Sequence, residues 1–350
     1  MFKWGNRAVD AAAEALNEIS PVEQELARQT IADIEQAQAQ LAAARNVIHR
    51  IIFGQHAVVD ACLITLLAGG HAILVGVPGV AKTTLVEALA AAIGLEQKRV
   101  QATPDLMPAD ILGSEVLDTA PDGMRNFRFI RGPVFCQLLL MDEINRASPR
   151  TQAALLQSMQ ETRVTVAGRN YNLPTPFHVF ATQNPLEYEG TYPLPEAQLD
   201  RFLMQIDIPY PSREAERQML LAASGVERAM PVPVMDGEAL QRAQKLSALL
   251  PVGQRVLDVI LELVRRARPI EDTEIAKLIH WGPGPRGALA LLKCARAKAL
   301  LEGRLSPSLD DIRQLAIPVL EHRMQLTYSA RADGHIVQSV IKTILENVCG

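Results

Sequence analysis

Short apolar runs recur along the first two thirds of the chain, and helix-type patterns of apolar and polar residues separate them. Five runs predict buried strands, namely Ala72–Val75, Gln97–Ala102, Leu138–Met141, His178–Thr182 and Gln205–Ile208. Strands that alternate with helices predict a parallel, doubly wound sheet in an α/β domain. In such a sheet, a ligand binds at the carboxyl ends of the strands.

Both ends of the chain carry helical patterns alone. Near the start, Ser20, Pro21 and Glu23 form a capping signal ahead of one long amphipathic helix. Beyond residue 237, the apolar positions predict helices only. The predicted organisation is therefore an N-terminal helical extension (1–45), an α/β domain (46–230), a linker (231–237) and a C-terminal all-α domain (238–350).

Two stretches of the α/β domain depart from the strand–helix alternation. Thr103–Pro133 is punctuated by proline and glycine, which predicts a long irregular insertion. Thr162–Leu173 alternates around Ala167 and Gly168, which predicts a β-hairpin. Long insertions between strands usually carry function or contacts.

Composition narrows the class of protein. The 350 residues are 48% hydrophobic and 21% charged with a net charge of -4, so the chain is globular and has no overall field that attracts nucleic acid. Its four cysteines are scattered without a Cys-x-x-Cys pair, which favours a reducing compartment over a zinc site. No apolar run predicts a transmembrane segment or a signal peptide, and we expect a cytoplasmic protein.

The stretch after the first apolar run has the pattern of a phosphate-binding loop. A glycine-containing turn leads from a strand into a helix that begins with Lys-Thr. Backbone N–H groups would face a polyphosphate, Lys82 would add a positive charge, and the hydroxyl of Thr83 would ligate Mg²⁺. The candidate binding residues are Gly76, Val77, Pro78, Gly79, Val80, Ala81, Lys82, Thr83 and Thr84.

One position of this loop departs from the common pattern, which has glycine where this chain has Ala81. A methyl group fits there if the residue has a negative φ, and Gly79 supplies flexibility inside the turn. The alternative for the whole stretch is a glycine turn without a ligand. Lys82, Thr83 and both flanking elements favour phosphate binding.

Asp142 and Glu143 follow a buried apolar run, as the acidic pair of a Walker B strand does. Asp142 would hold Mg²⁺ together with Thr83, and Glu143 would orient and deprotonate the attacking water. Alone, this pair would equally fit a solvated acidic strand end. Its position after a phosphate-binding loop favours the catalytic interpretation.

Three further polar residues are candidates, each with a plainer alternative. Asn184 ends another strand and is placed to hold a γ-phosphate or the attacking water, although Asn-Pro is also a common turn. Arg201 precedes the last strand, where it would point toward a neighbouring subunit's nucleotide or form a surface ion pair with an aspartate. Arg286 starts a helix of the C-terminal domain, from which it would reach the phosphates or bind nearby carboxylates.

Taken together, these residues resemble those of the MoxR-type AAA+ ATPases over about residues 46–345. The resemblance rests on the stretches Gly54–Gln55, Gly76–Thr83, Thr103–Gly113, Met141–Ala147, Ala181–Pro185, Gly190–Phe202 and Gly284–Arg286. In that family the phosphate loop looks like this one, including its alanine. The resemblance covers most of the chain, and only the N-terminal extension is less typical of the family.

The resemblance implies a helix-2 insertion within 104–135, a pre-sensor hairpin at 161–173 and a helical lid. Asn184 takes the place of sensor 1, Arg201 that of the arginine finger and Arg286 that of sensor 2. Ile52, Phe53 and Gly54 would lie against adenine. It also implies ATP and ADP as ligands, Mg²⁺, a hexameric ring, and chaperone-like maturation of a client protein or metal insertion with a von Willebrand A-domain partner. The N-terminal extension would pack at the ring periphery or dock a partner.

Two other functions remain open at this point. Related AAA+ motors grip nucleic acid with the same insertions, and this chain carries arginines there: Arg125, Arg128, Arg131, Arg163 and Arg169. The acidic balance and the lack of an appended DNA-binding module count against that function. A small-molecule kinase has less support, because Glu143 favours water as the acceptor of the phosphoryl group.

Overall fold

The computed structural model describes residues 21–119, 125–187, 190–223, 231–270 and 273–349. Its strands are β1 (Ala72–Val75), β2 (Gln97–Gln101), β3 (Gly113–Thr119), β4 (Arg125–Arg131), β5 (Leu138–Asp142), β6 (Arg163–Val166), β7 (Arg169–Asn172), β8 (His178–Gln183), β9 (Met204–Asp207), β10 (Ile279–Trp281) and β11 (Gln325–Leu326). Residues 1–20 of the predicted extension lie outside the described residues.

The helices in these ranges are α1 (Pro21–His49), α2 (His56–Leu67), α3 (Lys82–Ile93), α4 (Pro108–Leu112), α5 (Pro149–Glu161), α6 (Glu196–Leu199), α7 (Arg213–Ala223), α8 (Gly237–Leu249), α9 (Gln254–Arg266), α10 (Glu274–Leu278), α11 (Pro285–Leu301), α12 (Leu309–Leu320), α13 (Tyr328–Ala332) and α14 (Val337–Cys349). Short 3₁₀ turns cover Ile144–Arg146 and Glu321–Arg323. None of the helices described is both long enough and apolar enough to span a membrane.

The five predicted strands form one sheet in the order β2–β5–β8–β1–β9, and every neighbouring pair is parallel. This confirms the predicted doubly wound sheet. Because all five strands run in the same direction, the loop after β1 and the ends of β5 and β8 lie along one edge of the sheet. The candidate phosphate loop and the acidic pair are thereby brought side by side.

Alternate residues of the strands pack into separate cores on the two faces of the sheet. On β1, Ala72 and Leu74 belong to the core formed with α1, α2, α3 and the C-terminal helices, whereas Ile73 belongs to the core formed with α5. All three side chains are fully buried. A parallel strand covered on both faces is continuously apolar, which is why short apolar runs located these strands in the sequence.

Helix α1 packs against its own chain. Its buried residues, among them Ile34, Leu41 and Ile48, recur three or four positions apart and form one stripe. The stripe contacts α2, α3, α8 and α11, so it joins the sheet domain to the C-terminal domain. Complete burial of Leu41 and Ile48 contributes about 2 kcal/mol for each side chain. The helix runs without a break to His49, past residue 45, where the predicted N-terminal extension ends.

The stretch Thr103–Pro133, predicted to be irregular, instead contains α4 and an antiparallel hairpin of β3 and β4. The prediction was wrong because glycine here permits close approach of the two strands. A Cβ added at Gly113 would lie 2.2 Å from the carbonyl oxygen of Ile130. Most side chains of β4 are exposed, so the hairpin has no continuous buried face of the kind that marks a strand in the sequence. The predicted second hairpin is formed by β6 and β7.

The C-terminal domain is helical, and it also contains the short antiparallel pair of β10 and β11. The apolar pattern predicted helices only in this region. Strands of three and two residues are too short to produce a period-two pattern, which explains why they were not predicted.

The C-terminal domain contacts the sheet domain through the 3₁₀ turn Glu321–Arg323. The carboxylate of Glu321 accepts hydrogen bonds from Nε2 of Gln338 at 3.1 and 3.2 Å. Burial, and secondarily the negative charge of Asp207 at the end of β9, raises the pKa of Glu321 to about 7. The joint between the domains therefore holds a carboxyl group that titrates near neutrality.

We expect Glu321→Gln to stabilise the protein at pH 8 but not at pH 5. The folded chain binds a proton that the unfolded chain lacks between the ordinary value of 4.5 and about 7. Stability contributed by this group is therefore lost as the pH rises through that window. Partial solvent screening reduces the gain in free energy of unfolding to about 1 kcal/mol at pH 8. Urea denaturation at both pH values measures it, and an equal gain at pH 5 would contradict the titration.

Candidate active site

A cleft of about 440 Å³ lies at the carboxyl ends of β1, β5 and β8. Small-molecule sites usually span roughly 300–1,000 Å³, so the cleft is large enough for a nucleotide. Its lining residues are Ile51, Ile52, Phe53, Gln55, Pro78, Gly79, Val80, Ala81, Lys82, Thr83, Thr84, Asp142, Glu143, Asn184, Pro211 and Met219. The candidate phosphate loop, the acidic pair and Asn184 therefore share one cleft.

The phosphate loop presents the amino end of α3 to this cleft. The helix begins at Lys82, and no side chain among the described residues caps its first turn. The condition stated for Ala81, a negative φ, is not met, because this residue has a φ of +63°. With Gly79 also at a positive φ, successive N–H groups of the turn can converge on an anion. Holding alanine in this conformation costs on the order of 1 kcal/mol.

Lys82 extends back along the loop. Its Nζ donates hydrogen bonds to the carbonyl oxygens of Gly76 and Val77, the second at 3.2 Å. Burial lowers the pKa of Lys82, and the nearby carboxylates of Asp142 and Glu143 oppose that effect. Gly76 and Val77 do not line the cleft themselves, but their carbonyl groups orient the side chain of Lys82.

Asp142 ends β5 and is 8% exposed. Its Oδ1 accepts a hydrogen bond from the hydroxyl of Thr182, and its Oδ2 accepts one from Nη2 of Arg99 at 2.7 Å. Thr83 lines the same cleft, so a hydroxyl and a carboxylate, oxygen ligands that suit Mg²⁺, are available together. Arg99 and Thr182 were not predicted, because they reach Asp142 from neighbouring strands.

Glu143 has a φ of +54°, so the chain turns sharply directly after Asp142. Its N–H donates to the hydroxyl of Thr182 at 2.8 Å. Its Oε2 accepts hydrogen bonds from Nε2 of Gln101 at 2.8 Å and from Nη1 of Arg146 at 3.2 Å. The carboxylate is therefore held by two partners that the sequence pattern did not single out. The sequence signal that could have identified Gln101 is the alternation of polar residues at the end of β2, the strand next to β5.

Asn184 directly follows β8, which pairs with β1. Its side chain is 4% exposed, and its Oδ1 accepts a hydrogen bond from the N–H of Leu186 at 3.1 Å. This bond leaves the amide N–H groups as the donors of the side chain. Asn184 can therefore donate to an oxygen in the cleft.

The part of the cleft formed by the turn before α2 is mostly apolar. Ile52 and Phe53 line it, together with Gln55, which the pattern placed only near the nucleotide. Gln55 is 8% exposed, and its Oε1 has no hydrogen-bond partner among the described residues. Gly54 does not line the cleft. A Cβ added there would lie 2.5 Å from Cβ of Ala215 in α7, so Gly54 permits close packing of this turn.

The structure does not bring Arg201 or Arg286 into the cleft. Arg201 precedes β9 and is partly buried, and its Nε has no partner among the described residues. Arg286 lies in the first turn of α11, where its Nη1 is 3.6 Å from Oδ2 of Asp200. Within one chain, Arg286 therefore forms the carboxylate pair that was the alternative interpretation of this residue.

The two hairpins pack together through Phe129 and Tyr171, whose stacked rings have centroids 4.1 Å apart. Two of their five arginines form ion pairs within the chain. Arg128 pairs with Asp118 at 3.5 Å, and Arg163 pairs with Glu161 at 3.0 Å. Such pairing does not favour the nucleic-acid alternative, which requires basic groups directed at phosphates.

The chain is similar to known proteins over both of its domains. The family model for the ATPase family associated with various cellular activities (AAA) matches residues 71–204, and the model for the AAA lid domain matches residues 271–344. Chaperone MoxR1 of Mycobacterium tuberculosis is 40% identical over 86% of this chain and 80% of its own length. Protein MoxR of Paracoccus denitrificans is 33% identical over 81% of this chain and 88% of its own length.

A solved structure supports the same relationship. The crystal structure of a Cytophaga hutchinsonii protein assigned as an ATPase superimposes with a TM-score of 0.85 at 34% sequence identity. The superposition covers 92% of this chain and 98% of that protein. The similarity therefore extends over the sheet domain and the C-terminal domain together.

Proposed function

Because this chain belongs to the MoxR-type AAA+ ATPases, we propose that it hydrolyses ATP to ADP and phosphate in the cleft described above. The observation that carries the proposal is the convergence of Lys82, Asp142, Glu143 and Asn184 on one cleft at the sheet edge. The phosphate loop and lysine would bind the triphosphate, and Ile52, Phe53 and Gln55 would contact the base.

Mg²⁺ fits the residues present, because Thr83 offers a hydroxyl and Asp142 a carboxylate in the same cleft. When bound, the ion would neutralise charge on the β- and γ-phosphates. The pairing of Asp142 with Arg99 involves a side chain that is half exposed, so the arginine can move away without disturbing the core. Thr182 would continue to orient Asp142 from the opposite side.

Glu143 is proposed to deprotonate the water that attacks the γ-phosphate. Its carboxylate must first be released from Gln101 and Arg146, both of which are polar contacts at the edge of the cleft. Asn184 would donate an amide N–H to the attacking water or to a γ-phosphate oxygen. The release of Glu143, the deprotonation of water and the donation by Asn184 all use side chains that already line the cleft or contact its lining.

We further propose a ring, by family resemblance a hexamer, in which Arg201 of one subunit completes the active site of the next. The support is that Arg201 lies outside its own cleft and leaves a buried Nε without a partner among the described residues. An arginine donated in trans stabilises the charge that develops during phosphoryl transfer. Arg286 would act in cis as a lid residue that responds to the nucleotide.

The proposed biological role is chaperone-like remodelling of a protein client, in maturation or metal insertion, with a von Willebrand A-domain partner and in the cytoplasm. One structural feature supports contact with a polypeptide. The β3–β4 hairpin exposes Leu117, Phe127 and Ile130 at 51%, 68% and 47% of their surfaces. Leu117 and Phe127 are cross-strand partners on one face of the hairpin, and adjacent exposed apolar side chains are typical of protein-binding surfaces.

The basic test is release of phosphate from ATP without any added acceptor. We expect turnover that requires Mg²⁺ and that is lost in Lys82→Ala, because that variant removes the positive charge beside the phosphate loop. Nucleotide binding should fall with it, as charge-assisted hydrogen bonds contribute roughly 1.5–3 kcal/mol. Lys98→Ala, on the surface beside Glu96, is the matched control and should keep full activity. Turnover only with a phosphoryl acceptor would favour a kinase instead.

A further inference from the structure

Arg323 is the largest fully buried side chain of the described residues, with 2% of its surface exposed. It belongs to the 3₁₀ turn of the C-terminal domain, but most of its hydrogen bonds reach the sheet domain. Its Nε donates to Oδ1 of Asp200 at 2.8 Å, and its Nη2 donates to the carbonyl oxygen of Asp200 at 3.2 Å. Further acceptors are the carbonyl oxygens of Phe202, Leu203 and Val319.

These contacts surround Arg201 on both sides. The guanidinium of Arg323 binds the carbonyl groups of the residue before Arg201 and of the two residues after it. His322 adds a contact between its Nε2 and the carbonyl oxygen of Phe202 at 3.1 Å. One turn of the C-terminal domain therefore fixes the backbone from which Arg201 extends.

Residues close to Arg323 in the chain also contact the sheet domain. Gln325 donates to Glu196 at 3.3 Å, and Glu321 faces Asp207 across Gln338. Asp200 also receives Arg286 at 3.6 Å, so two arginines of the C-terminal domain share its carboxylate. Of these two, Arg323 is buried, whereas the side chain of Arg286 is 57% exposed and its pair is longer. Only the Arg323 pair has the burial and geometry of a fixed attachment.

We propose that Arg323 is a positioning residue that sets where Arg201 is presented to the neighbouring subunit. This inference rests on the proposed function, since it requires Arg201 to act in trans. A shift of the C-terminal domain within one subunit moves Arg323, and the segment Asp200–Leu203 must follow because four hydrogen bonds from Arg323 bind the two together. The nucleotide state of one subunit thus reaches the next active site through Arg323 and Asp200.

The competing explanation is that Arg323 only stabilises the fold. Removing one partner of a buried ion pair is destabilising wherever it occurs, so a loss of activity alone does not separate the two roles. The two roles are distinguished by which subunit's active site is impaired. A subunit with a displaced Arg201 keeps its own phosphate loop, and its active site can be completed by a neighbour whose Arg201 is intact.

The test mixes variants in equal amounts after separate purification, and compares ATP turnover with the mean of the two unmixed samples. Arg323→Gln alone should lose roughly 10- to 100-fold, the cost of misplacing a catalytic group by about 1 Å. Mixed with Lys82→Ala, which supplies an intact Arg201, it should regain activity. Mixed with Arg201→Ala, it should not. Recovery in the second mixture, no recovery in the first, or wild-type turnover of Arg323→Gln alone would each overturn the proposal.

Two controls keep the outcome decisive. Arg304→Gln removes a comparable ion pair, that of Arg304 with the buried Asp311 at 2.6 and 2.8 Å. This substitution makes no change to the contacts of the segment that carries Arg201. It should show no partner-dependent recovery, and the same pattern as Arg323→Gln would assign both to general destabilisation. If Arg323→Gln does not fold, Asp200→Asn takes its place and should show the same asymmetry with a smaller loss.

The reference mixture of Lys82→Ala with Arg201→Ala separates the two levels of inference. If this mixture recovers activity and the Arg323→Gln mixture does not, only the positioning role fails. If the reference mixture itself stays inactive, trans action of Arg201 fails, and the positioning role fails with it.

Discussion

Replacing Glu143 with glutamine is expected to stop ATP turnover while ATP still binds. Glutamine keeps the length of the side chain and an oxygen that can accept from Gln101 and Arg146, but it cannot take a proton from water. A positioned general base contributes about 10²–10⁴-fold to a rate, so we expect kcat to fall at least about 100-fold. Affinity for ATP should stay close to that of the wild type, because Lys82 and the phosphate loop are unchanged.

Two measurements on the same sample check this expectation. Titration with a fluorescent ATP analogue reports binding, and phosphate release reports turnover. Glu161→Gln is the matched control, because Glu161 pairs with Arg163 outside the cleft and its loss should leave both measurements unchanged. Full hydrolysis by Glu143→Gln would contradict the assignment of Glu143 as the base. Loss of binding together with turnover would instead indicate a structural role for the carboxylate.

The strands and the phosphate loop were predictable because their signals are local in the sequence. A strand such as β5 is buried on both faces, and its continuous apolar run needs no knowledge of its neighbours. The same holds for the turn that leads into Lys82, where spacing alone specifies the chemistry. Asp142 and Glu143 were recognised by their place after that turn. The elements of the site that follow one another along the chain were therefore available from the pattern.

The residues that hydrogen-bond to these site residues were not predictable. They come from other parts of the chain, and only the tertiary structure brings them close. Gln101 reaches Glu143 only because β2 pairs with β5. Arg323 and Asp200 are 123 positions apart, and no periodicity connects them. In the sequence, Arg323 follows a long apolar helix and looks like a surface residue near a helix end. Its burial depends on the docking of the C-terminal domain, which is a property of the tertiary structure alone.

Backbone conformation was a second limit. A negative φ was the condition for a methyl group to fit at Ala81, because a side chain disfavours the left-handed region. That rule describes the average cost and not the local gain, and here a left-handed residue directs N–H groups toward the cleft. Glu143 shows the same departure at the end of β5. Two non-glycine residues in this conformation in the lining of one cleft are consistent with strain retained at a functional site.

Replacing Arg201 with alanine is expected to lower ATP turnover by about 10³-fold or more, the usual contribution of an arginine finger. The effect should fall on kcat, because Arg201 does not line the cleft of its own subunit and does not help to bind nucleotide there. Folding should be little affected, since the buried contacts of this segment are made by Asp200, Phe202 and Leu203. Circular dichroism and nucleotide titration of the variant verify both conditions.

The decisive measurement is again a mixture, because it distinguishes action in trans from action in cis. In a ring assembled from equal amounts of Arg201→Ala and Lys82→Ala, half of the subunits retain a working phosphate loop, and half of their neighbours retain the arginine. Turnover should therefore recover to about a quarter of the wild-type value, as expected for a head-to-tail interface. If Arg201 acted on its own subunit's nucleotide, every subunit would be defective, and the mixture would stay as inactive as its components. Arg150→Ala, an exposed arginine at the start of α5, provides the control for simple loss of charge and should keep full turnover unmixed.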